Sequence, residues 1–324
     1  MKLHFRALWI MLIVLVVAGS TLAASSKDMF LEVFSGSMGG SWYSIGSEIS
    51  IILQNNIPGL TARVAPGGGS ANPGIIQDRE GMLGLTYTGT ALEAYSGTGV
   101  FKKPHTDLRH IISLYSMPFL WVTLRDNEIN TVYDLADKRI SPGRTGQTGL
   151  TIAEKSLEAH GIKMDDITKK GGTVSLLGDS ERLNMLRDRN LDAASGLFPL
   201  NHSELQSLSI NPGIKLIGLD EKAIDRLMEM VPGLAKVKIP AGSFDKYQTE
   251  DIYTVVSVTS IIGHKDLDAD LVYQIVDVLI KNRERINKYI MAEDNVMLEP
   301  LTAKGDLPVH PGAMKYYQEK GLVK

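Results

Sequence analysis

Residues 30–65 read FLEVFSGSMGGSWYSIGSEISIILQNNIPGLTARVA, and this stretch determines the fold class. Residues 30–34 form an apolar run that is typical of a strand and that leads into a turn rich in Gly and Ser. Apolar residues then recur at helical spacing from Trp42 to Leu53 until Pro58 and Gly59 end the pattern. Residues 61–65 read as a second strand. Strand, helix and strand in this order predict an α/β fold, in which helices cover a parallel or mixed sheet.

The alternation continues along the chain, with two long extended segments inserted in it. Residues 109–124 are mostly extended and interrupted only by Pro118, and residues 253–262 form a second long β-like run. An amphipathic helix with Leu271, Ile275 and Leu279 follows. Two α/β series joined by two such segments predict two lobes hinged by crossing strands. We expect lobe 1 to comprise residues 24–112 and 266–324, and lobe 2 to comprise residues 113–265.

Composition excludes several classes of protein. The 324 residues include 34 basic and 37 acidic side chains without a basic block, so we expect no binding to nucleic acid. The absence of Cys excludes disulfides, thiol catalysis, zinc–thiolate sites, iron–sulfur clusters and a lipoprotein anchor. The His residues lack metal-ligand spacing, and neither G-x-S-x-G nor H-E-x-x-H occurs. We therefore expect no catalytic residues, no metal and no cofactor.

The first residues indicate export. Lys2 and Arg6 precede an apolar run at 7–18, and small residues follow it up to Ala23 and Ala24. This order predicts a cleavable signal peptide at residues 1–23. The alternative is a transmembrane anchor, but the run is shorter than the roughly 20 residues that span a bilayer. We expect a periplasmic protein with no stable membrane insertion after cleavage.

Three loops that follow predicted strands are rich in Gly and hydroxyl residues, at 35–43, 66–72 and 141–149. In open α/β sheets ligands bind at this edge, where helix N-termini present free N–H groups that suit an anion. Arg144 in the third loop can pair with a ligand carboxylate. The alternatives are ordinary turns and caps for the loops, and a solvated side chain for Arg144.

Aromatic side chains near these loops are candidates for the walls of a pocket. Trp42 and Tyr43 begin the first helix, whereas Tyr87 and Phe198 stand where strands end. Trp42 also falls on the apolar stripe of its helix, so core packing is the competing interpretation for it.

Six motifs in the same order make the chain similar to the solute receptors of TRAP transporters, specifically the TAXI family. They are SGSMGGSWYSIG (35–46), PGGGSANPGIIQDREGMLGL (66–85), AYSGTGVF (94–101), LRHIISLY (108–115), DLADKRISPGRTGQT (134–148) and VHPGAMKYYQEKG (309–321). The resemblance runs from about Leu31 to Val323.

The resemblance implies a two-lobe periplasmic binding protein of type II-like fold that closes around a small organic anion. Such a protein delivers its ligand to TRAP membrane permease subunits. The matching loops would place at the ligand Gly39, Gly40, Tyr43, Ser70, Asn72, Thr145 and Thr148. Together with the pocket candidates, the expected site also includes Trp42, Tyr87, Thr88, Arg144, Gln147 and Phe198.

Two departures from the family pattern bear on the ligand. Tyr87 and Gly89 stand where the family commonly has Gln and Asp, and Gln147 and Thr148 replace Ser and Gly in the third loop. The missing Asp removes a natural partner for a ligand ammonium, so we expect a keto acid or a dicarboxylate rather than glutamate. A sensor that signals to a membrane receptor kinase and a periplasmic enzyme of similar fold are the alternative functions.

Overall fold

A computed structural model describes residues 29–79, 82–288 and 307–323. The predicted signal peptide lies outside these residues. The described strands are β1 (Met29–Phe34), β2 (Leu60–Ala65), β3 (Met82–Tyr87), β4 (Leu108–Leu124), β5 (Arg139–Ser141), β6 (Thr173–Val174), β7 (Ala193–Leu197), β8 (Ile214–Ile217), β9 (Leu234–Ile239) and β10 (Ile252–His264).

The described helices are α1 (Ser41–Asn56), α2 (Asn72–Gln77), α3 (Thr88–Ser96), α4 (Thr148–Ala159), α5 (Met164–Lys169), α6 (Asp179–Arg187), α7 (Ser203–Ile210), α8 (Glu221–Met230), α9 (Ala269–Lys281), α10 (Arg283–Asn287) and α11 (Pro311–Glu319). A 3₁₀ helix covers Val132–Asp137. Among these helices none combines the length and the apolar character needed to cross a membrane.

The sheet confirms the predicted α/β class. Its strands run in the order β2-β1-β3-β10-β4-β7-β5-β6, with β8 beside β4 and β9 beside β10. β1 is parallel to β2 and β3, whereas β10 is antiparallel to β3, β4 and β9. The parallel strands at each end are joined by helices because a parallel connection must cross over the sheet.

Separate hydrophobic cores divide the molecule into two lobes. The largest core contains β1, β3, α1 and α9 together with Tyr317 of α11. Two further cores contain the second half of β4 and the elements from the 3₁₀ helix to β9. We call the first part lobe 1 and the second lobe 2. The expected boundaries at residues 112/113 and 265/266 fall in or next to the two long strands and stay a prediction.

The long strands β4 and β10 belong to both lobes and form the hinge. They pair antiparallel from Val256 and Pro118 to His264 and Leu108, with a register shift next to Thr259. The sequence indicated a break at Pro118, but β4 continues through this residue. The carbonyl oxygen of Pro118 accepts a hydrogen bond from the backbone N–H of Phe198, the residue after β7.

Candidate functional site

A cavity of about 40 Å³ lies between the lobes, where the Gly-rich loops meet. It is lined by both lobes, through Gly36, Ser41, Trp42, Gly68, Gly69 and Tyr87 of lobe 1 and Gln147, Thr148, Gly149, Asp179, Arg182 and Leu197 of lobe 2. The three loops predicted from the sequence therefore all contribute to one site.

Three helices begin at this cavity. The first residues of α1, α4 and α6 are Ser41, Thr148 and Asp179, and each of them lines it. The first N–H groups of a helix have no acceptor within the helix, and the helix dipole places partial positive charge there. Their convergence favours an anionic group in the cavity.

Arg182 supplies a full positive charge at the cavity although only 2% of its side chain is exposed. Its guanidinium pairs with Asp179, with Nη2 2.6 Å from Oδ1, and Nη1 donates to Gln147 Oε1 and to the carbonyl oxygen of Leu177 at 3.1 Å each. Burial lowers the pKa of Arg182, and the charge of Asp179 opposes that change. Its Nε has no hydrogen-bond partner in the described residues. A buried donor in this state costs free energy until an acceptor reaches it.

Phe198 forms the support of this arginine. The guanidinium carbon of Arg182 lies 5.1 Å from the centre of the Phe198 ring. This cation–π contact stabilises the buried charge. His202 meets the same ring edge-on, and burial lowers the pKa of that imidazole.

Gln147 links the charged pair to lobe 1. Its Nε2 donates to Ser37 Oγ across the cleft at 3.0 Å and to Asp179 Oδ1 at 3.1 Å. Its Oε1 accepts from Arg182 and from the backbone N–H of Arg144. The Gln147 side chain therefore bonds to Ser37 in lobe 1 and to both charged residues of the site, Asp179 and Arg182.

Two aromatic rings form the wall on the side of lobe 1. The centres of the Trp42 and Tyr87 rings lie 4.6 Å apart, and both rings line the cavity. The Tyr87 hydroxyl donates to Met117 Sδ, at 3.4 Å. Because the hydroxyl is used in this bond, the contribution of Tyr87 to the cavity wall is its ring. Burial is the main cause that raises the pKa of Tyr87 well above 10, and the hydroxyl stays protonated.

Backbone and side-chain hydrogen bonds hold the lobes together around the cavity. The carbonyl oxygen of Gly146 accepts from the N–H groups of Ser70 and Ala71, at 3.1 and 3.2 Å. The hydroxyl groups of Ser70 and Thr148 lie 3.3 Å apart. These contacts require a close approach of the two backbones, and Gly68 permits it, since a β-carbon there would overlap Gly146 O.

The thirteen residues expected at the ligand fall into distinct places. Trp42, Tyr87, Gln147 and Thr148 line the cavity. Other expected residues join the lobes around it: Gly39 accepts from Ser180, a β-carbon on Gly40 would lie 2.6 Å from Asp179 Oδ2, and Ser70 meets Thr148. Phe198 lies under Arg182. Tyr43, half-buried on α1, and the exposed Thr145 do not line the cavity.

Asn72 and Thr88, which were also expected at the ligand, make hydrogen bonds in the interior of lobe 1. The Asn72 amide nitrogen donates to the carbonyl oxygens of Phe34, Ser35 and Leu85, and its oxygen accepts from Gly68 N–H. Thr88 bonds to Ser260 Oγ at 2.7 Å.

Arg144 is exposed, and its guanidinium donates to the carbonyl oxygen of Gly67 at 3.1 Å. It does not line the cavity, and its side chain joins the rims of the two lobes. The guanidinium that lines the cavity is that of Arg182.

Gly89, which stands where the family pattern has Asp, does not line the cavity. It lies in the first turn of α3 against the backbone of Pro232 and Gly233, where any β-carbon would overlap the Pro232 carbonyl oxygen. The negative charge at the cavity comes from Asp179 in lobe 2, which the sequence reasoning missed together with Arg182. The one signal for the pair was their i, i+3 spacing at the start of a predicted helix.

Comparisons with known proteins agree with this architecture. The model of the NMT1-like family matches residues 33–321. MatC from Rhodopseudomonas palustris, solved with bound malate, is similar in structure with a TM-score of 0.60 and 9% identity, covering 92% of this chain and 100% of that chain. The periplasmic binding protein BugD gives 0.57 and 13%, covering 91% and 94%. PhnD1 from Prochlorococcus marinus, in complex with methylphosphonate, gives 0.56 and 11%, covering 92% and 100%.

These structures share the two-lobe fold of periplasmic binding proteins with this chain, as the sequence predicted. The family model covers nearly all of the described lobes and all three loops of the cavity. This chain therefore belongs to the NMT1-like family.

Proposed function

We propose that this chain is the solute-binding subunit of a TRAP-type secondary transporter, of the TAXI type that its motifs resemble. It captures a small organic acid between its lobes in the periplasm and delivers it to the membrane permease. The candidate ligands are keto acids, dicarboxylates and acidic amino acids. The protein binds and releases its ligand without chemical change.

The observation that carries this proposal is Arg182, a buried cation at an interlobe cavity with one donor unpaired. A carboxylate in the cavity would pair with the positive charge of Arg182 and accept from the N-termini of α1 and α4. Such charge-assisted hydrogen bonds are about twice as strong as neutral ones. Closure of the lobes would then bury the ligand and shift the open–closed equilibrium.

Two of the similar structures support an anionic ligand, since MatC holds malate and PhnD1 holds methylphosphonate. A ligand sensor for a membrane receptor kinase would use the same cleft and is the second candidate. Uptake of the acid into vesicles that contain a TRAP-type permease, with and without this protein, separates the two.

The first test is thermal unfolding of the mature protein with a panel of amino acids, keto acids and dicarboxylates. A ligand at 100 times its dissociation constant adds about 2.7 kcal/mol to the stability. We expect Arg182→Lys to abolish the shift, because Lys cannot offer the planar fork of donors. Arg187→Lys, an exposed position on the same helix, is the matched control. Absence of any shift across the panel would contradict the proposed function.

A further inference from the structure

We infer that the ligand of this cavity is a small zwitterion, an α-amino acid with an uncharged side chain. This inference rests on the proposed function and names one ligand class for its site, in place of the keto acids, dicarboxylates and acidic amino acids given there. It departs from the expectation of a keto acid or a dicarboxylate, which depended on the missing Asp at position 89.

The two charged side chains that line the cavity each keep one polar atom without a hydrogen-bond partner in the described residues. Arg182 Nε lacks a partner, and Asp179 uses only Oδ1, for Arg182 and Gln147. Asp179 Oδ2 accepts no hydrogen bond from the described residues and faces Gly40 across the cleft. Asp179 and Arg182 stand three residues apart on α6, and both line the cavity. A ligand that carries a carboxylate and an ammonium on one carbon atom offers an oppositely charged partner to each of them.

The charge balance of the site points to the same class of ligand. Arg182 and Asp179 are the charged side chains among the described residues that line the cavity, so the pair is neutral before the ligand enters. A carboxylate alone would meet only the partial positive charge of the three helix N-termini and would leave the site with a net negative charge next to Asp179. A second carboxylate would find no further cation. Buried charges are costly unless they are paired, whereas a zwitterion keeps the site neutral.

The aromatic wall favours the ammonium of such a ligand. The faces of Trp42 and Tyr87 carry partial negative charge, which attracts a cation and repels a carboxylate. The volume of about 40 Å³ fits a few water-sized groups. It therefore favours an amino acid with a short side chain.

The experiment compares ligands that differ in one group, by calorimetric titration of the mature protein. L-alanine and L-lactate differ only in ammonium against hydroxyl, and L-alanine and L-aspartate differ only in the side-chain carboxylate. We expect L-alanine to bind about tenfold to a hundredfold more tightly than L-lactate, because its ammonium makes a charge-assisted bond. L-aspartate should bind at least about tenfold more weakly than L-alanine, since its second carboxylate has no cationic partner.

The variant Asp179→Asn removes the acceptor charge and should bring the alanine-to-lactate ratio close to one. Asp188→Asn, an exposed position at the end of the same helix, should leave the ratio unchanged. If Asp179→Asn fails to fold, the ratio in the wild-type protein is decisive on its own.

Equal or tighter binding of L-lactate, malate or 2-oxoglutarate, still abolished by Arg182→Lys, would overturn the zwitterion and leave the proposed function intact. Absence of binding by every compound would overturn both.

Discussion

The backbone of Gly68 in lobe 1 passes so close to Gly146 in lobe 2 that a β-carbon on Gly68 would overlap the Gly146 carbonyl oxygen. Atoms of neighbouring lobes meet here without any side chain between them. The N–H groups of Ser70 and Ala71, two and three residues after Gly68, bond to that same oxygen. This contact determines how near the two walls of the cavity can come.

Gly68→Ala should hold the lobes apart. We expect the affinity for the ligand to fall at least about fivefold, since a forced shift of packed backbone costs roughly 1–3 kcal/mol. Small-angle scattering should give a larger radius of gyration with ligand than the wild-type protein has. Gly74→Ala, where a β-carbon meets only an atom of His105 at 3.9 Å, is the control and should behave as wild type. Unchanged affinity of Gly68→Ala would contradict this role of the contact.

The hydrogen bond between Ser37 and Gln147 should contribute to ligand affinity because it forms only when the lobes meet. A double-mutant cycle with Ser37→Ala and Gln147→Leu removes each partner and both. We expect a coupling of about 0.5–1.5 kcal/mol in the binding free energy, the usual contribution of one hydrogen bond. Titration calorimetry with the tightest acid of the panel measures it, and additive effects would show that the bond plays no part in binding.

Asn72→Ala should destabilise lobe 1 by roughly 4 kcal/mol or more, because four buried polar groups lose a partner. The substitution leaves three carbonyl oxygens and one N–H group in the interior without the partners that the amide supplies, and each buried orphan costs about 1–3 kcal/mol. Urea unfolding measures the change. Asn56→Ala, which removes one bond from an exposed amide to Ile52, should cost less than about 1 kcal/mol and serves as the control.

Acid should destabilise the protein through buried histidines. Burial lowers the pKa of His110 from 6.5 to about 4 and also lowers the pKa of His310, whose Nδ1 accepts from Gly312 N–H at the start of α11. Below pH 6.5 the unfolded chain binds protons that the folded chain excludes, so stability falls as pH falls. Each fully shifted histidine contributes about 1.4 kcal/mol per pH unit.

For His110 this loss ends near pH 4, where the folded protein also binds the proton. Urea unfolding at a series of pH values between 7 and 4 measures the slope. The variant His110→Asn should flatten it, and an equal slope in this variant would assign the acid sensitivity to other groups.

The fold could be predicted from the sequence because each of its signals is local. The apolar residues from Trp42 to Leu53 recur at helical spacing within one helix, and they form the buried face of α1. The two long apolar runs became β4 and β10 for the same reason. The loops of the site were also found, since Gly and Ser after a strand mark a strand-to-helix junction.

The charged part of the site could not be found in this way. Arg182 lies within a polar helix, and its burial depends on the packing of α6 against Phe198, which follows a different strand. Arg144 has the local context of an anion-binding residue, yet its loop places it at the rim. The role of Asn72 depends on carbonyl oxygens from two other strands, and nothing near it in the sequence indicates those contacts.

The path of the chain through the lobes has a consequence for synthesis. Tyr317 donates to the carbonyl oxygen of Ile111, 206 residues earlier, and α9 and α11 complete the core that β1 and α1 begin. The core around β1 and α1 therefore cannot be completed until α9 and α11 have been synthesised. Lobe 2 is synthesised between these two parts of lobe 1. Lobe 2 can finish folding first, and an interrupted nascent chain carries an incomplete lobe 1 whose apolar sheet face needs protection until α11 has been synthesised.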